Sequence, residues 1–424
     1  MNKAWIIAVS MGYGHQRTAF PLKNLTSEGK VIFANDYPEI PKKDRKIWER
    51  AERFYEFISK FKRIPLVGQF LFFIFDQFQK ILSFYPKRDL SKPNLQLKQT
   101  FSLIKKDWGK DLIEKLKVKN EKLKVNLPII STFFTPAFMA EYFNYPGEIY
   151  CVVCDADISR TWASLKPKES KIKYFAPNHR VVERLKLYGV KKENIFLTGY
   201  PLPLENIGDK DLGILKNDLK YRILNLDPKR RYYHYYQPLI KKYLGELPEK
   251  PNHPLTIMFA VGGAGVQKEI GVKIVKSLAK KIKNKEIRVI LVAGIKEKVK
   301  EYFLKNTKNL NVEIIFDRDI NIYFQKFNLA LRTTDILWTK PSELSFYTAL
   351  GIPIIIAPPI GSQEEFNKRW LIQIGSGMIQ ENPNYTNQWL FDLLDSGWFA
   401  EAALQGFIEV EKFGTLNIQK ICCG

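Results

Sequence analysis

The sequence predicts an α/β protein built from two doubly wound, Rossmann-like parallel-sheet domains facing an interdomain cleft, and three observations predict it. The chain has 424 residues, more than one hydrophobic core normally serves. Short apolar runs alternate with amphipathic stretches in two separate series, the signature of parallel sheets covered on both faces. Between the series lies a stretch without strand patterning that holds Pro201, Pro203, Pro228 and Pro248.

In order, residues 3–10 form a buried strand ending at the turn Gly12, Tyr13, Gly14, with a helix expected from about Thr18. Further strands are expected at 31–34, 127–132, 149–154, 173–175 and 195–198, with a helix over 180–187. The second series comprises 255–261, 288–293, 312–316, 329–330, 336–338 and 352–357. This gives a domain over 1–205, an interdomain connection over 206–254, a second domain over 255–386 and a helical tail over 387–424 that could pack back on the first domain.

Apolar residues are 45% of the chain, enough to fill two cores, and no tract is polar enough for disorder. The 67 Lys and Arg against 44 Asp and Glu leave a net charge of +23. That surplus fits an anionic partner, and an adenine- and thymine-rich genome would also raise the lysine count. Cys151 and Cys154 sit inside an apolar run without a second pair to complete a zinc site, so they read as core thiols. With the apparent lack of a signal peptide they suggest a reducing cytoplasm.

Gly262, Gly263 and Gly265 follow a predicted strand and open a helix, so backbone N–H groups there can meet a phosphate. Such glycines serve tight strand-to-helix packing equally well, and the spacing is neither GxGxxG nor a P-loop. A longer constellation follows: Thr339, Lys340 and Pro341 before Ser342 and Glu343, then Gly351 and Pro353, then Gln363, Glu364 and Asn367. In the first series, Gly14, His15 and Ala19 follow the first strand. Cys154 and Asp155 precede Trp162, and Gly199 and Pro201 close the last strand.

This ordered set resembles the GT-B glycosyltransferases of the family that includes MurG and monogalactosyldiacylglycerol synthase, the glycosyltransferase family 28 type, over roughly residues 3–380. The resemblance implies an inverting, metal-independent enzyme that moves a sugar from a nucleotide diphosphate, UDP in that family, to a lipid or lipid-linked acceptor, with no cofactor beyond the sugar nucleotide. It implies donor contacts from Gly262, Gly263, Gly265, Ser342, Glu343, Gln363, Glu364 and Asn367, and an acceptor loop at Gly12 and Gly14. The helix after Lys340 is about two residues shorter than the family pattern, and Ser342 replaces its glycine. Glu343 is therefore only the nearest counterpart of the ribose-binding glutamate.

Transfer requires the acceptor hydroxyl to lose a proton, and His15, aimed from the end of the first strand, has suitable chemistry. Asp155 either orients it or is itself the base. Of the Asp-x-Asp pairs only Asp155 and Asp157 stand in a context that suits a metal, but they fall on the segment matched to another family motif, and no metal is expected.

Residues 64–85 are rich in Phe and Leu with a polar stripe at Gln69, Asp76, Lys80 and Ser83 and basic flanks. They read as an interfacial helix on an anionic membrane surface, or as a buried helix of the first domain. A peripheral enzyme at the inner face of the membrane is the resulting expectation. The alternatives are a sugar-nucleotide epimerase of the same architecture, or a basic nucleic-acid-binding protein using the cluster Lys229 to Tyr236. No specific nucleic acid is expected in the favoured reading.

Overall fold

The computed structural model describes residues 3–61, 81–263 and 265–423. Most of the expected interfacial helix, including Phe70, Phe72 and Phe73, lies outside the described residues. The chain divides into two compact units, Met1–Pro201 with Ile360–Phe366 and Phe413–Gly424, and Leu202–Pro359 with Asn367–Lys412.

The first unit is a six-stranded parallel sheet in the order β2-β1-β3-β4-β5-β6. Its strands are β1 Trp5–Ala8, β2 Ile32–Phe33, β3 Ile129–Ser131, β4 Ile149–Val152, β5 Lys173–Ala176 and β6 Ile195–Leu197. β1 and β4 are buried along their whole length, which is why they read as unbroken apolar runs rather than alternating ones. The helix expected from Thr18 begins earlier, at Gly14, and runs to Ala19. The left-handed turn at Gly12 (φ +82°) brings the chain round sooner than the apolar period shows.

The last helix, Gly414–Cys423, belongs to this unit, whereas the helices Thr386–Ser396 and Trp398–Glu409 belong to the other. Ile418 is fully buried in a cluster with Ile6, Ala8, Leu22, Ile130 and Phe175. Asn417 donates to the Thr198 carbonyl at 2.9 Å, and Gly414 lies so close to the Tyr200 main chain that a Cβ would overlap it.

The second unit is also a six-stranded parallel sheet, in the order β12-β11-β10-β7-β8-β9. It comprises β7 Leu255–Ala260, β8 Ile287–Gly294, β9 Glu313–Phe316, β10 Ile336–Thr339, β11 Ile354–Ile356 and β12 Gly377–Ile379. Two expectations are corrected here. Residues 329–330 end the helix Ile320–Leu331, which Asp319 caps through the Asn321 and Ile322 N–H groups; a short apolar run does not by itself separate strand from helix. β12 went unrecognised because a three-residue edge strand carries too little pattern.

The stretch 206–254 is not a linker. It forms the helices Gly213–Leu226 and Arg231–Leu244, which are part of the second unit. Arg222, fully desolvated, donates to the carbonyls of Thr334 (2.7 Å), Leu350 (2.8 Å) and Leu331 (3.2 Å). Asn225 reaches Asp335 at 3.0 Å, and Asp335 also accepts from the Thr256 N–H at 2.8 Å. A buried guanidinium holding three carbonyls fixes the first of these helices to the sheet.

If the terminal helix completes the first core, Ile418→Ala should destabilise that unit by about 2–5 kcal/mol. Chemical denaturation followed by intrinsic fluorescence would read this as an earlier unfolding transition; an unshifted curve would show that the helix is dispensable to the core.

Candidate functional site

Open parallel sheets bind ligands beyond the C-terminal strand ends where strand order reverses. In the first sheet that point lies between β1 and β3, since β1 leads to β2 on one side and the chain then returns to β3 on the other. The loop after β1 is pinned there: the Ser10 N–H donates to Asn35 Oδ1 at 2.9 Å, and Asn35 Nδ2 donates to Ser10 Oγ at 2.7 Å.

His15 follows on the helix Gly14–Ala19. Its Nδ1 lies 2.7 Å from the carbonyl oxygen of Thr132, the residue after β3, and Thr132 Oγ1 donates back to the His15 carbonyl at 2.9 Å. A carbonyl can only accept, so Nδ1 carries the proton and Nε2 presents the lone pair of the neutral ring. Phe133 packs against the imidazole at 4.7 Å between centroids, and Cys154 Sγ lies 3.5 Å from Nδ1. The sequence did not identify Thr132 as the group that orients His15, because a main-chain carbonyl leaves no mark in residue type.

Asp155 is half-buried on the loop after β4. Asp157 is taken out of consideration as a ligand by its own pairing: its carboxylate accepts from Arg184 at 2.8 Å through both oxygens and from Arg180 at 2.9 Å. Among the described residues no group of three His, Cys, Asp or Glu side chains could hold a metal ion. Gln363 and Glu364 group with this first unit and Asn367 with the second. Glu364 is spent on its own turn, accepting from the Ile360 N–H at 2.6 Å.

In the second sheet strand order reverses between β7 and β10. Gly262, Gly263 and Gly265 lie just beyond β7, and Lys340, Ser342 and Glu343 just beyond β10. The Gly265 N–H donates to the Gly262 carbonyl at 2.8 Å, and Gly265 is left-handed (φ +66°). Gly265 therefore closes the turn, and its N–H is not an open phosphate donor as the sequence reading expected. Gly262 has a different duty: a Cβ there would overlap Lys340 Cε and lie 3.4 Å from Lys340 Nζ. The missing side chain thus gives the lysine a path across the glycine turn. Residue type alone does not single out Lys340 within its motif, since a lysine after a strand is ordinarily a surface charge.

The segment after Ser342 is a 3-10 helix, Glu343–Leu350, buried throughout. Its N-cap, Ser342, makes no side-chain capping bond, while its carbonyl accepts from the Ser345 N–H at 2.9 Å. Glu343 is 8% exposed. Asn367 is fully buried, with Nδ2 3.4 Å from the Pro341 carbonyl, so it supports the Lys340–Ser342 turn from beneath.

Each unit therefore has the doubly wound parallel architecture of a Rossmann-like domain, the pair that makes up a GT-B protein. In sequence the chain is similar to the processive diacylglycerol beta-glucosyltransferase of Bacillus subtilis (strain 168), at 22% identity over 59% of this chain and 56% of that one. Its counterpart in Bacillus pumilus (strain SAFR-032) is 22% identical over 66% and 63%. The chain thus spans a little over half the length of the curated relatives it matches first. Residues 248–313 match the model of a domain of unknown function, DUF6938. Similar solved structures include MurG of Acinetobacter baumannii (14% identity, 73% of this chain and 76% of that one, TM-score 0.43). Another is the UDP-GlcNAc 2-epimerase of Neisseria meningitidis bound to UDP-GlcNAc (14%, 78% and 82%, TM-score 0.45). The curated relatives and the two sheets support the GT-B, glycosyltransferase family 28-like assignment.

The tautomer of His15 is directly measurable. Nitrogen-15 spectra of the neutral ring, assigned by loss of the signal in His15→Gln, should show protonated Nδ1 and bare Nε2. A dominant Nε2–H form would contradict the Thr132 hydrogen bond.

Proposed function

We propose that this protein is a glycosyltransferase that moves a sugar from a nucleoside diphosphate, UDP by analogy with the relatives, to a lipid or lipid-linked hydroxyl with inversion at the anomeric carbon. The observation that carries the proposal is the path of Lys340 across the Gly262 turn at the strand-order reversal of the second sheet.

A diphosphate leaving group gains negative charge as the glycosidic bond breaks, and fixed cations and N–H dipoles at that position stabilise it. Lys340, the Gly263 N–H and the helix start after Ser342 are assigned that work, with no divalent ion invoked. Asn367 holds the turn that carries them, and Glu343 is the group assigned to the ribose. Gln363 and Glu364 are assigned to sugar hydroxyls.

The acceptor hydroxyl must lose its proton as its oxygen attacks C1 from the face opposite the diphosphate. His15 Nε2 takes that proton, and the positive charge that results is shared through Nδ1–H with the Thr132 carbonyl. Asp155 is assigned to stabilise the imidazolium, and Gly12 and Gly14 leave the acceptor loop without bulk.

Titration calorimetry with UDP in EDTA should show binding, with preference over GDP, ADP and TDP, and Lys340→Ala should weaken it by about ten-fold or more, the value of a charge-assisted hydrogen bond. Gly262→Ala should act in the same direction by displacing the lysine. No nucleotide binding by the unaltered protein would end this reading.

His15→Ala should reduce kcat with a lipid acceptor by roughly 100-fold or more while UDP affinity stays unchanged. Turnover of the unaltered enzyme should fall as the pH drops and Nε2 becomes protonated. Full activity in His15→Ala would transfer the base role elsewhere, with Asp155 the next residue to test.

A further inference from the structure

The cluster Lys229 to Tyr236 has no part in the proposed transfer. It begins the helix Arg231–Leu244 and lines a cavity of about 840 Å³, closed on another side by Trp398 and Glu401. Its backbone is firmly set: Asp227 accepts the Arg230 N–H through its carbonyl at 2.9 Å and the Tyr233 N–H through its carboxylate at 2.8 Å. Gly397, left-handed at φ +81°, backs onto Tyr232, where a Cβ would stand 3.0 Å from the Tyr232 nitrogen. Tyr232 is buried, and its ring stacks on Tyr236 at 4.7 Å.

What this rigid start displays is basic and aromatic. Lys229, Arg230, Arg231, His234, Tyr235 and Tyr236 are exposed, Tyr235 to 76%. Among the described residues Lys229, Arg230 and Arg231 form no ion pair, and Arg230 lies over the Tyr233 ring at 5.3 Å. Glu401 is the one carboxylate of the cavity wall. Cations left unneutralised beside tyrosines and a tryptophan, each with an apolar body and a polar tip, match the chemistry of a phospholipid headgroup layer.

A single-stranded nucleic acid would meet the same charge, but it needs open ring faces for its bases. Here Tyr232 and Tyr236 are stacked on each other and Arg230 lies over Tyr233, which leaves Tyr235, met edge to face by His234 at 5.1 Å, as one open ring rather than a row of them for successive bases.

We propose that this patch docks the second unit onto an anionic lipid bilayer, Arg230 and Arg231 on the phosphates and Tyr235 at the headgroup level. The surface deepens the lipid-acceptor reading but does not depend on nucleotide binding.

The test is co-sedimentation of the full chain with vesicles of equal parts phosphatidylcholine and phosphatidylglycerol, against vesicles of phosphatidylcholine alone, without sugar donor. The protein should bind the anionic vesicles selectively. The double variant R230E/R231E should bind them at least about ten-fold more weakly, from the loss and reversal of two surface charges. Tyr235→Ser, at a side chain too exposed to hold the fold, should weaken binding in the same direction, and both variants should keep the melting temperature and UDP titration of the parent. Parental vesicle affinity in both variants, or no binding by the parent, overturns the proposal. So does loss of binding to a single-stranded RNA oligomer on the same substitutions with vesicle binding intact. Failure of the UDP titration alone would overturn the transferase reading and leave the docking surface standing.

Discussion

Everything the candidate site does depends on one constraint of parallel sheets: all strands end at the same edge, and where strand order reverses the loops from two neighbouring strands part and leave a crevice. This chain meets that constraint twice. In the first unit the loop after β1 meets the residue after β3, and the meeting is the His15–Thr132 pair. In the second the loop after β7 meets the residue after β10, and the meeting is Gly262 beneath Lys340. Neither pair is close in sequence; topology alone brings each together.

The two reversals place different chemistry because the surrounding residues differ. Beside β3 the environment is aromatic, with Phe133 against the imidazole, Trp162 at 6.4 Å from it, and Phe134 packed on both of those rings. Beside β10 the Lys340 side chain runs across the Gly262 turn, with the helix after Ser342 next in the chain, a basic environment rather than an aromatic one.

Much of this was legible in the residues. The unbroken apolar runs at β1, β4, β7 and β10 and the glycines after β7 announced the sheets and their loaded ends, because buried parallel strands need apolar side chains on both faces. What residue type could not show was the main-chain chemistry. The Thr132 carbonyl that sets the tautomer and the Gly265 N–H already used in its own turn are both backbone groups. The helix Gly213–Leu226 misled for a related reason: its attachment through Arg222 to three carbonyls is polar, so its sequence reads as a charged connector between prolines.

Glu364 and Gly265 show how a family pattern and a local structure can divide one residue's capacity. Both stand at motif positions, and both already spend a hydrogen bond on holding their own loop. For Glu364 that bond turns the carboxylate toward the Ile360 main chain at the start of its own helix. For Gly265 it leaves conformation alone: its left-handed φ and its closeness to Val299 make it the hinge of the turn. Lys340, whose side chain runs where a Gly262 Cβ would stand, brings a full charge to a turn whose Gly265 N–H is already used, so the glycines serve close approach and closure while the side chain after β10 supplies the electrostatics.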